Sequence, residues 1–191
     1  MKEKALSEMT LPELWRLFPI QLTGHRPQWQ EWYREEEQRL RSFLPMQGGY
    51  RISHIGSTAV EAIWAKPIVD ILLEINEGRG LSDFGELLKD NGYLLMSESP
   101  RRMSFNRGYT AEGFADRVFH LHLRSAGDND ELYFRDYLNS HPEVARQYEL
   151  LKLRLWKKYE YDRDGYTESK SAFVKRYTQL AKASGSGRYA P

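Results

Sequence analysis

Gly56, Ser57 and Thr58 are the residues whose types best match a phosphate-binding turn. They lie in the segment HIGSTAVEAIWAKPIVDILLEI, residues 54–75. A glycine lets the backbone approach a ligand, the hydroxyl groups add hydrogen-bond donors, and a helix predicted to begin at Thr58 would turn unpaired backbone N–H groups toward an anion. The pattern therefore predicts a phosphate cradle, although the same residues also fit an ordinary strand-to-helix turn with an N-terminal cap.

Asp70 is an acid inside an otherwise apolar strand, predicted over residues 68–75. Burying a carboxylate is costly unless it is paired, hydrogen-bonded or bound to a cation. A phosphate-binding turn followed by an acid-bearing strand can present a nucleoside triphosphate and a divalent cation, Mg²⁺ or Mn²⁺, to each other. The pattern predicts Asp70 as a metal ligand and catalytic residue, and the alternative is an aspartate that caps a neighbouring backbone amide.

His120 and His122 are two residues apart in a predicted strand, so both imidazoles lie on one face of it. Three interpretations stay open. In the first, the pair contacts phosphate or a nucleobase and takes part in catalysis. In the second, it binds a transition metal with Asp70 or His54 as the third ligand. In the third, hydrogen bonds alone satisfy both rings.

Lysine and arginine side chains supply further candidates for binding phosphate. Lys66 precedes the strand that carries Asp70, and Lys170 lies in the C-terminal part of the chain. Residues 101–124 contain five arginines against two acids, and planar guanidinium groups suit phosphates. The alternative for this arginine group is a solvated loop with surface ion pairs. Its members are Arg101, Arg102, Arg107, Arg117 and Arg124.

The composition limits the functions that these residues can serve. In 191 residues, 28 Lys and Arg stand against 27 Asp and Glu, so no global field attracts DNA, RNA or anionic lipid. We therefore expect a small nucleotide or phosphorylated substrate as the partner, and no nucleic acid or membrane. The chain has no Cys, which excludes disulfides and thiol nucleophiles. Without a signal-peptide pattern, a cytoplasmic location is expected.

Hydrophobic periodicity and turn residues predict the elements that position these side chains. Thr58 and Glu61 match a capping box, which predicts a short helix that Pro67 ends. Residues 97–117 are polar and rich in arginine, and residues 103–105 and 119–123 are predicted as hairpin strands around a loop. The other predicted helices cover 10–18, 27–43, 81–90, 132–138, 142–159 and 167–183, and the predicted strands cover 50–55, 68–75, 93–96, 103–105 and 119–123.

Two groups of helical side chains are predicted to have structural roles. The run Glu35 to Glu37 is expected on a solvated helix face. The aromatic residues of the C-terminal helices are expected in the core rather than against bases. They are Tyr148, Trp156 and Tyr177.

The segment 54–75 resembles the signature of the GrpB-like family of the nucleotidyltransferase superfamily, which also occurs fused to dephospho-CoA kinase. Later blocks resemble the family in the same order: HLHL at 120–123, LYFRDYLNSHPEVARQY at 132–148 with Lys152 beyond it, and YTESKSAF at 166–173. The resemblance implies an α/β (α+β) polymerase-β-like mixed sheet with flanking helices and a C-terminal helical part. We expect an N-terminal helical extension at 1–24, the family domain at 25–183 and a flexible tail at 184–191.

The chain departs from active nucleotidyltransferases at residue 72. Those enzymes carry two acids as Asp-x-Asp, because residues i and i+2 of a strand share a face and can share a metal. Here the second position is Leu72, and Glu74, four residues along the strand, is about 13 Å from Asp70. A single-acid site needs phosphates or another strand to complete a metal shell.

The function predicted from the sequence is binding of a nucleotide or a phosphorylated small molecule. If the protein is an enzyme, the reaction is nucleotidyl transfer to an unknown acceptor. Asp70 then holds the cation, the turn at 56–58 holds phosphate, and His54, His120 or His122 polarises substrate. The alternative is a non-catalytic binding module on a degenerate nucleotidyltransferase scaffold, and a third class is a histidine-based metalloenzyme.

Overall fold

The computed structural model describes residues 4–46, 48–61, 63–76, 78, 80–185 and 188–189, and within them it shows a five-stranded mixed sheet flanked by helices. The strands are β1 (Tyr50–Ile55), β2 (Val69–Ile75), β3 (Leu94–Ser99), β4 (Arg102–Thr110) and β5 (Gly113–Ser125). The helices are α1 (Leu11–Leu17), α2 (Gln28–Phe43), α3 (Leu81–Asp90), α4 (Asp130–Ser140), α5 (Pro142–Tyr159) and α6 (Arg163–Ser184).

The strand order is β1-β2-β5-β4-β3, and β2 pairs with β5 in parallel while the other neighbours are antiparallel. In the parallel pair, Asp70 is opposite His120 and Leu72 is opposite His122. Side chains at paired positions of neighbouring strands lie on the same face of a sheet. The register therefore places Asp70, His120 and His122 side by side.

Alternation along the strands divides the sheet into two different faces. Ile71 and Leu73 of β2 and Leu121 of β5 belong to the main apolar core, which packs beneath α2 and α3. Leu72, on the other face, packs with Ile55 and with Leu132 of α4. Because side chains alternate with period two, the face that carries Asp70 is the face covered by the C-terminal helices.

The elements with strong periodicity are confirmed to within two residues, among them α2, α3, α5, β1 and β2. Helix α1 begins after Thr10, whose backbone N–H donates to the Glu13 carboxylate at 2.7 Å. Phe18, Ile20 and Leu22, which follow α1, are buried. The predicted tail at 184–191 lies partly outside the described residues, and within them Tyr189 packs edge-on against Tyr133.

The prediction of a helix after Thr58 is wrong. Residues Ser57–Ala59 form a single 3-10 turn, and Val60 returns to extended backbone. The hydroxyl of Thr58 is hydrogen-bonded to Nε2 of His54 at 3.0 Å, and the backbone N–H of Glu61 donates to Oδ1 of Asn139 at 3.3 Å. Tertiary partners thus take the groups that a capping box would use.

The hairpin predicted from residues 103–105 and 119–123 is confirmed, but its loop is much shorter than predicted, because β4 and β5 continue to a tight turn between Thr110 and Gly113. The register shifts between Arg107 and Tyr109, next to Gly108. A Cβ at Gly108 would lie 2.3 Å from the carbonyl oxygen of Arg117. The glycine therefore marks a β-bulge rather than a loop.

Glu36 is 4% exposed, so the prediction of a fully solvated acidic run is wrong at its middle residue. Its carboxylate accepts hydrogen bonds from the Tyr93 hydroxyl, from Arg107 at 2.5 Å and from Arg39 at 3.1 Å. The three donors come from different elements. The carboxylate therefore joins α2 to the far part of the sheet.

Replacing Glu36 with glutamine is expected to lower the free energy of unfolding by about 1 to 3 kcal/mol, because the arginines lose their charged acceptor. Glu35→Gln is the matched control, since Glu35 is half exposed and pairs with Arg117 on the surface. We expect the control to change stability by less than about 1 kcal/mol. Urea unfolding measures both, and equal losses in the two variants would contradict the structural role of Glu36.

Among the described residues, none of the helices combines the length and the apolar character that a bilayer span requires.

Candidate functional site

A cavity of about 500 Å³ opens between the sheet and helices α4, α5 and α6. Its floor is the face of β2 and β5 that carries the polar side chains, and its roof is helical. The cavity brings together most of the site residues predicted from the sequence, whose functional roles stay predictions. They are Gly56, Ser57, Lys66, Asp70, His120, His122 and Lys170.

Asp70 lies on the cavity floor between two imidazoles. Its Oδ1 is 3.3 Å from Nδ1 of His120 and 3.8 Å from Nε2 of His122. Burial opposes ionisation of Asp70, but hydrogen bonds from His120 and His122 outweigh burial and lower the pKa of the carboxyl below its usual range. Asp70 is therefore an ionised carboxylate, and its Oδ1 lies closer to His120 than to His122.

His120 continues this network away from the cavity. Its Nε2 is 2.8 Å from the hydroxyl of Tyr109 on β4. Burial lowers the pKa of His120, although the neighbouring Asp70 raises it. A neutral His120 then donates its Nδ1–H toward Asp70 and accepts the Tyr109 O–H at Nε2. The chain Tyr109, His120, Asp70 fixes the ring and the carboxylate in one orientation.

Gly56 is the point at which the backbone passes closest to Asp70. It has φ +72° and ψ −171°, a region that is almost restricted to glycine. A Cβ at this position would lie 2.2 Å from Oδ2 of Asp70. The residue type thus lets the turn rest directly on the carboxylate.

His54 and Thr58, both predicted to bind the ligand, face the opposite side of the sheet. In the β1–β2 register Ile55 is opposite Asp70, so His54 points away from the cavity, toward α2. Its ring stacks on Tyr33 and its two nitrogens are 3.2 Å from Oε1 of Gln30 and 3.0 Å from Oγ1 of Thr58. Burial lowers the pKa of His54 to about 4. Their placement indicates a structural role.

Three lysines, Lys66, Lys152 and Lys170, supply the positive charge of the cavity. Burial and, after it, the charge of Lys170 lower the pKa of Lys66 and of Lys152 to about 7 each. Burial also lowers the pKa of Lys170, to about 8. Among the described residues none of the three forms a salt bridge. The negative charge of Asp70 raises the pKa of all three lysines, but it does not offset the effect of burial and of their mutual repulsion.

Aromatic rings hold the lysines in place. Nζ of Lys170 is 4.3 Å and Nζ of Lys66 is 5.5 Å from the ring centre of Tyr166 on α6. Nζ of Lys152 is 4.9 Å from the ring centre of Tyr148 and donates to the backbone carbonyl of Trp64. Such cation–π contacts compensate in part for lost hydration.

Lys152 and Tyr148 are cavity residues that the sequence reasoning did not assign to the site. Tyr148 was predicted as a core residue, and it packs in the helical core and lines the cavity as well. The buried residues of α5 include Val144, Tyr148 and Lys152, at spacings of four. A lysine on the apolar stripe of an amphipathic helix was the available signal.

Part of the cavity lining is apolar. Phe134 and Leu138 of α4, Val60 and Val174 line it, and the rings of Phe134 and Tyr148 meet at right angles with centroids 5.2 Å apart. The cavity therefore combines a cationic part with a part that suits an apolar or planar group, as small-molecule sites commonly do.

Four of the five arginines of residues 101–124 form ion pairs or backbone contacts in the structure. Arg102 pairs with Asp128 at 2.7 Å, Arg107 with Glu36 at 2.5 Å, and Arg117 with Glu35. Arg124 donates to the carbonyl oxygen of Met103 at 3.2 Å. These partners favour the surface ion-pair interpretation over phosphate binding for the group.

The side chains around Asp70 do not fit a two-acid Mg²⁺ or Mn²⁺ site. Mg²⁺ prefers six oxygen ligands in octahedral geometry, whereas Asp70 has imidazoles beside Oδ1 and apolar Leu72 two residues on. Glu74 is engaged by Arg51 at 2.7 Å. Among the described residues, no group of three or more His, Asp or Glu side chains is placed to hold one metal ion.

Comparison with known proteins identifies the family of this chain. The family model described as GrpB protein matches residues 19–180. The UPF0157 protein YqkA of Bacillus subtilis (strain 168) is 31% identical over 184 residues, which are 93% of this chain and 52% of the relative. The chain thus spans about half the length of that curated relative.

Solved structures agree with the family match. The crystal structure of conserved protein GrpB from Enterococcus faecalis has a TM-score of 0.72 and 29% identity, with 86% of this chain and 98% of that chain covered. The Cid1 poly(U) polymerase with Mg 3'-dATP bound has a TM-score of 0.51 and 12% identity, with 83% and 51% covered. The predicted nucleotidyltransferase-like fold is confirmed.

Proposed function

Since this chain belongs to the GrpB family and has a nucleotidyltransferase-like fold, we propose that its cavity binds a nucleotide or another phosphorylated small molecule. The observation that carries the proposal is the cluster of Lys66, Lys152 and Lys170 on one cavity of about 500 Å³. Buried ammonium groups without carboxylate partners are costly unless a ligand supplies the negative charge. A phosphate group supplies this charge together with several hydrogen-bond acceptors.

Within this proposal the phosphates and the organic part of the ligand occupy different parts of the cavity. The phosphates lie near the three lysines and the Gly56–Ser57 turn, where ammonium and hydroxyl groups donate hydrogen bonds. The organic part of the ligand lies against Phe134, Tyr148 and the neighbouring aliphatic side chains. Asp70, His120 and Tyr109 hold one another in place, so they form a preorganised floor rather than a flexible one.

Nucleotidyl transfer to an unknown acceptor is the catalytic form of this proposal, and it draws support from the fold alone. Leu72 in the position of the second acid favours the alternative, a binding module that has kept the scaffold without catalysis. Incubating the protein with labelled ATP and a panel of acceptors separates the two. Release of pyrophosphate would support transfer, and its absence alongside measurable ATP binding would support the binding module.

Binding is tested by isothermal titration calorimetry with ATP, AMP and inorganic tripolyphosphate. We expect tripolyphosphate and ATP to bind, and ATP to bind more tightly because its base and ribose occupy the apolar part. Lys170→Gln should weaken both by about tenfold or more, since a charge-assisted hydrogen bond to phosphate is lost.

Lys89→Gln is the matched control, because Lys89 lies on α3 at the opposite face of the sheet and carries the same charge. We expect this control to bind like the parent protein. Equal loss of affinity in the Lys170 and Lys89 variants would show that only net charge matters. The absence of heat with every phosphorylated probe would contradict the proposed function.

A further inference from the structure

Both oxygens of the Asp70 carboxylate already have close protein neighbours. Oδ1 lies 3.3 Å from His120 and 3.8 Å from His122. Oδ2 lies so close to Gly56 that a Cβ added to this residue would be 2.2 Å from it. Asp70 still lines the cavity with its side chain 27% exposed, but a carboxylate with imidazoles beside one oxygen and backbone beside the other is a poor ligand for an octahedral cation.

The remaining positions of a metal site on this face are filled by other interactions. Leu72 packs between Ile55 and Leu132, in the layer that joins the sheet to α4. Glu74, two residues farther, accepts from Arg51 at 2.7 Å and from Asn129 at 2.9 Å. Neither position can add an oxygen ligand without dismantling a buried contact.

Positive charge, which a divalent cation would contribute, is instead built into the cavity wall. Lys66 enters from the segment before β2, Lys152 from α5 and Lys170 from α6, so the amines reach the cavity from three separate elements. Arg135 of α4 and Lys175 of α6 also line it, against the acids Asp70, Asp130 and Glu131. Asp130 is itself paired with Lys182.

We infer that the lysines take the place of the divalent cation, so that the cavity binds a metal-free phosphorylated anion and Mg²⁺ competes with the protein for the phosphates. The inference rests on the proposed function, because it concerns the same cavity and the same ligand class. Each Mg²⁺ on a triphosphate cancels two of the negative charges that the lysines would otherwise contact. A site built on metal ligands would behave in the opposite way.

Titration of the wild-type protein with ATP and with tripolyphosphate, in EDTA and in excess Mg²⁺ or Mn²⁺, tests the inference without any variant. We expect binding in EDTA, and a dissociation constant several-fold weaker when the metal is present. Binding that requires Mg²⁺ or Mn²⁺ and disappears in EDTA would overturn the inference while leaving the proposed function in place. No binding under either condition would overturn both.

Asp70→Asn gives an independent test, because asparagine keeps the shape of the side chain and removes its negative charge. If lysines bind the phosphates directly, the variant should bind ATP more tightly than wild type in EDTA, by a few-fold, since a repulsive charge is lost. If Asp70 holds a metal, the variant should lose binding. Circular dichroism and the melting temperature of the variant establish that it folds, and the wild-type comparison stands if it does not.

Discussion

Replacing Gly56 with alanine is expected to destabilise the protein by about 3 kcal/mol or more and to abolish ligand binding. The backbone of Gly56 has φ +72°, and an added Cβ would lie 2.2 Å from Oδ2 and 2.9 Å from Cβ of Asp70. Asp70 belongs to a strand paired on both sides and is held by His120. The turn must therefore move, and Ser57 moves with it.

Gly92→Ala separates backbone strain from this contact. Gly92 follows α3 with φ +82°, yet a Cβ there would meet nothing within 4 Å. A residue other than glycine in the left-handed region costs about 1 to 2 kcal/mol, which is the loss we expect for this control. Urea unfolding and ATP titration of both variants measure the difference. Equal loss of stability and retained binding in Gly56→Ala would contradict the close approach.

Binding of a phosphorylated anion is expected to be coupled to uptake of more than one proton at pH 8. Burial lowers the pKa of Lys66 and Lys152 to about 7 and that of Lys170 to about 8. At pH 8 the first two amines are therefore largely neutral, and the amine of Lys170 is about half neutral. A bound polyanion favours their charged forms and raises these pKa values. The affinity should then fall by about a hundredfold or more between pH 8 and pH 10, as each captured proton becomes scarcer.

Calorimetry in buffers of different ionisation enthalpy measures the number of protons taken up. ATP is the ligand for this measurement, because a phosphate group with a second pKa of about 6 is largely ionised at pH 8 and above, so the protons go mainly to the protein. Lys170→Gln should reduce the uptake, whereas Lys89→Gln should leave it unchanged. An enthalpy that does not depend on the buffer would show that the lysines are already charged in the free protein.

The lowered pKa values of these lysines also make the stability of the ligand-free protein depend on pH. An unfolded lysine titrates near 10.5, above the folded values, so between about pH 7 and 10.5 the unfolded state binds more protons than the folded state. These lysines therefore make the folded state more stable as the pH rises through this window. The rise in melting temperature should be smaller in Lys170→Gln than in Lys89→Gln.

The charge distribution explains why a nearly neutral chain can contain a strongly cationic cavity. The formal net charge is +1, yet five basic and three acidic side chains line the cavity, and of these Asp70, Asp130 and Arg135 are engaged by other residues. Residues 101–124 carry a larger excess of basic residues in the sequence, yet Arg102, Arg107 and Arg117 are engaged in ion pairs elsewhere. A local excess of basic residues in the sequence therefore does not imply a local excess of basic side chains in the folded protein.

Elements that depend on neighbouring residues could be predicted from the sequence. The apolar run of β2, the proline at the start of α5 and the alternation of His120 and His122 all act within a few residues. The resemblance to the GrpB-like family extended these local predictions to a fold, which the comparisons confirm. The same kind of reasoning failed for the helix after Thr58, because the Thr58 hydroxyl binds His54 of the preceding strand and the Glu61 N–H binds Asn139, which is distant in sequence.

The sequence by itself determined which strand face carries Asp70 and which carries the histidine pair, because side chains alternate with period two. Only the tertiary structure decided that Asp70 and the two histidines lie side by side on one face of the sheet. The parallel pairing of β2 with β5, across about fifty residues, brings them together. It also decided that Lys152 enters the cavity, that His54 leaves it and that Glu36 is buried. The burial of a polar group depends on partners brought from distant segments, and no local pattern specifies those partners.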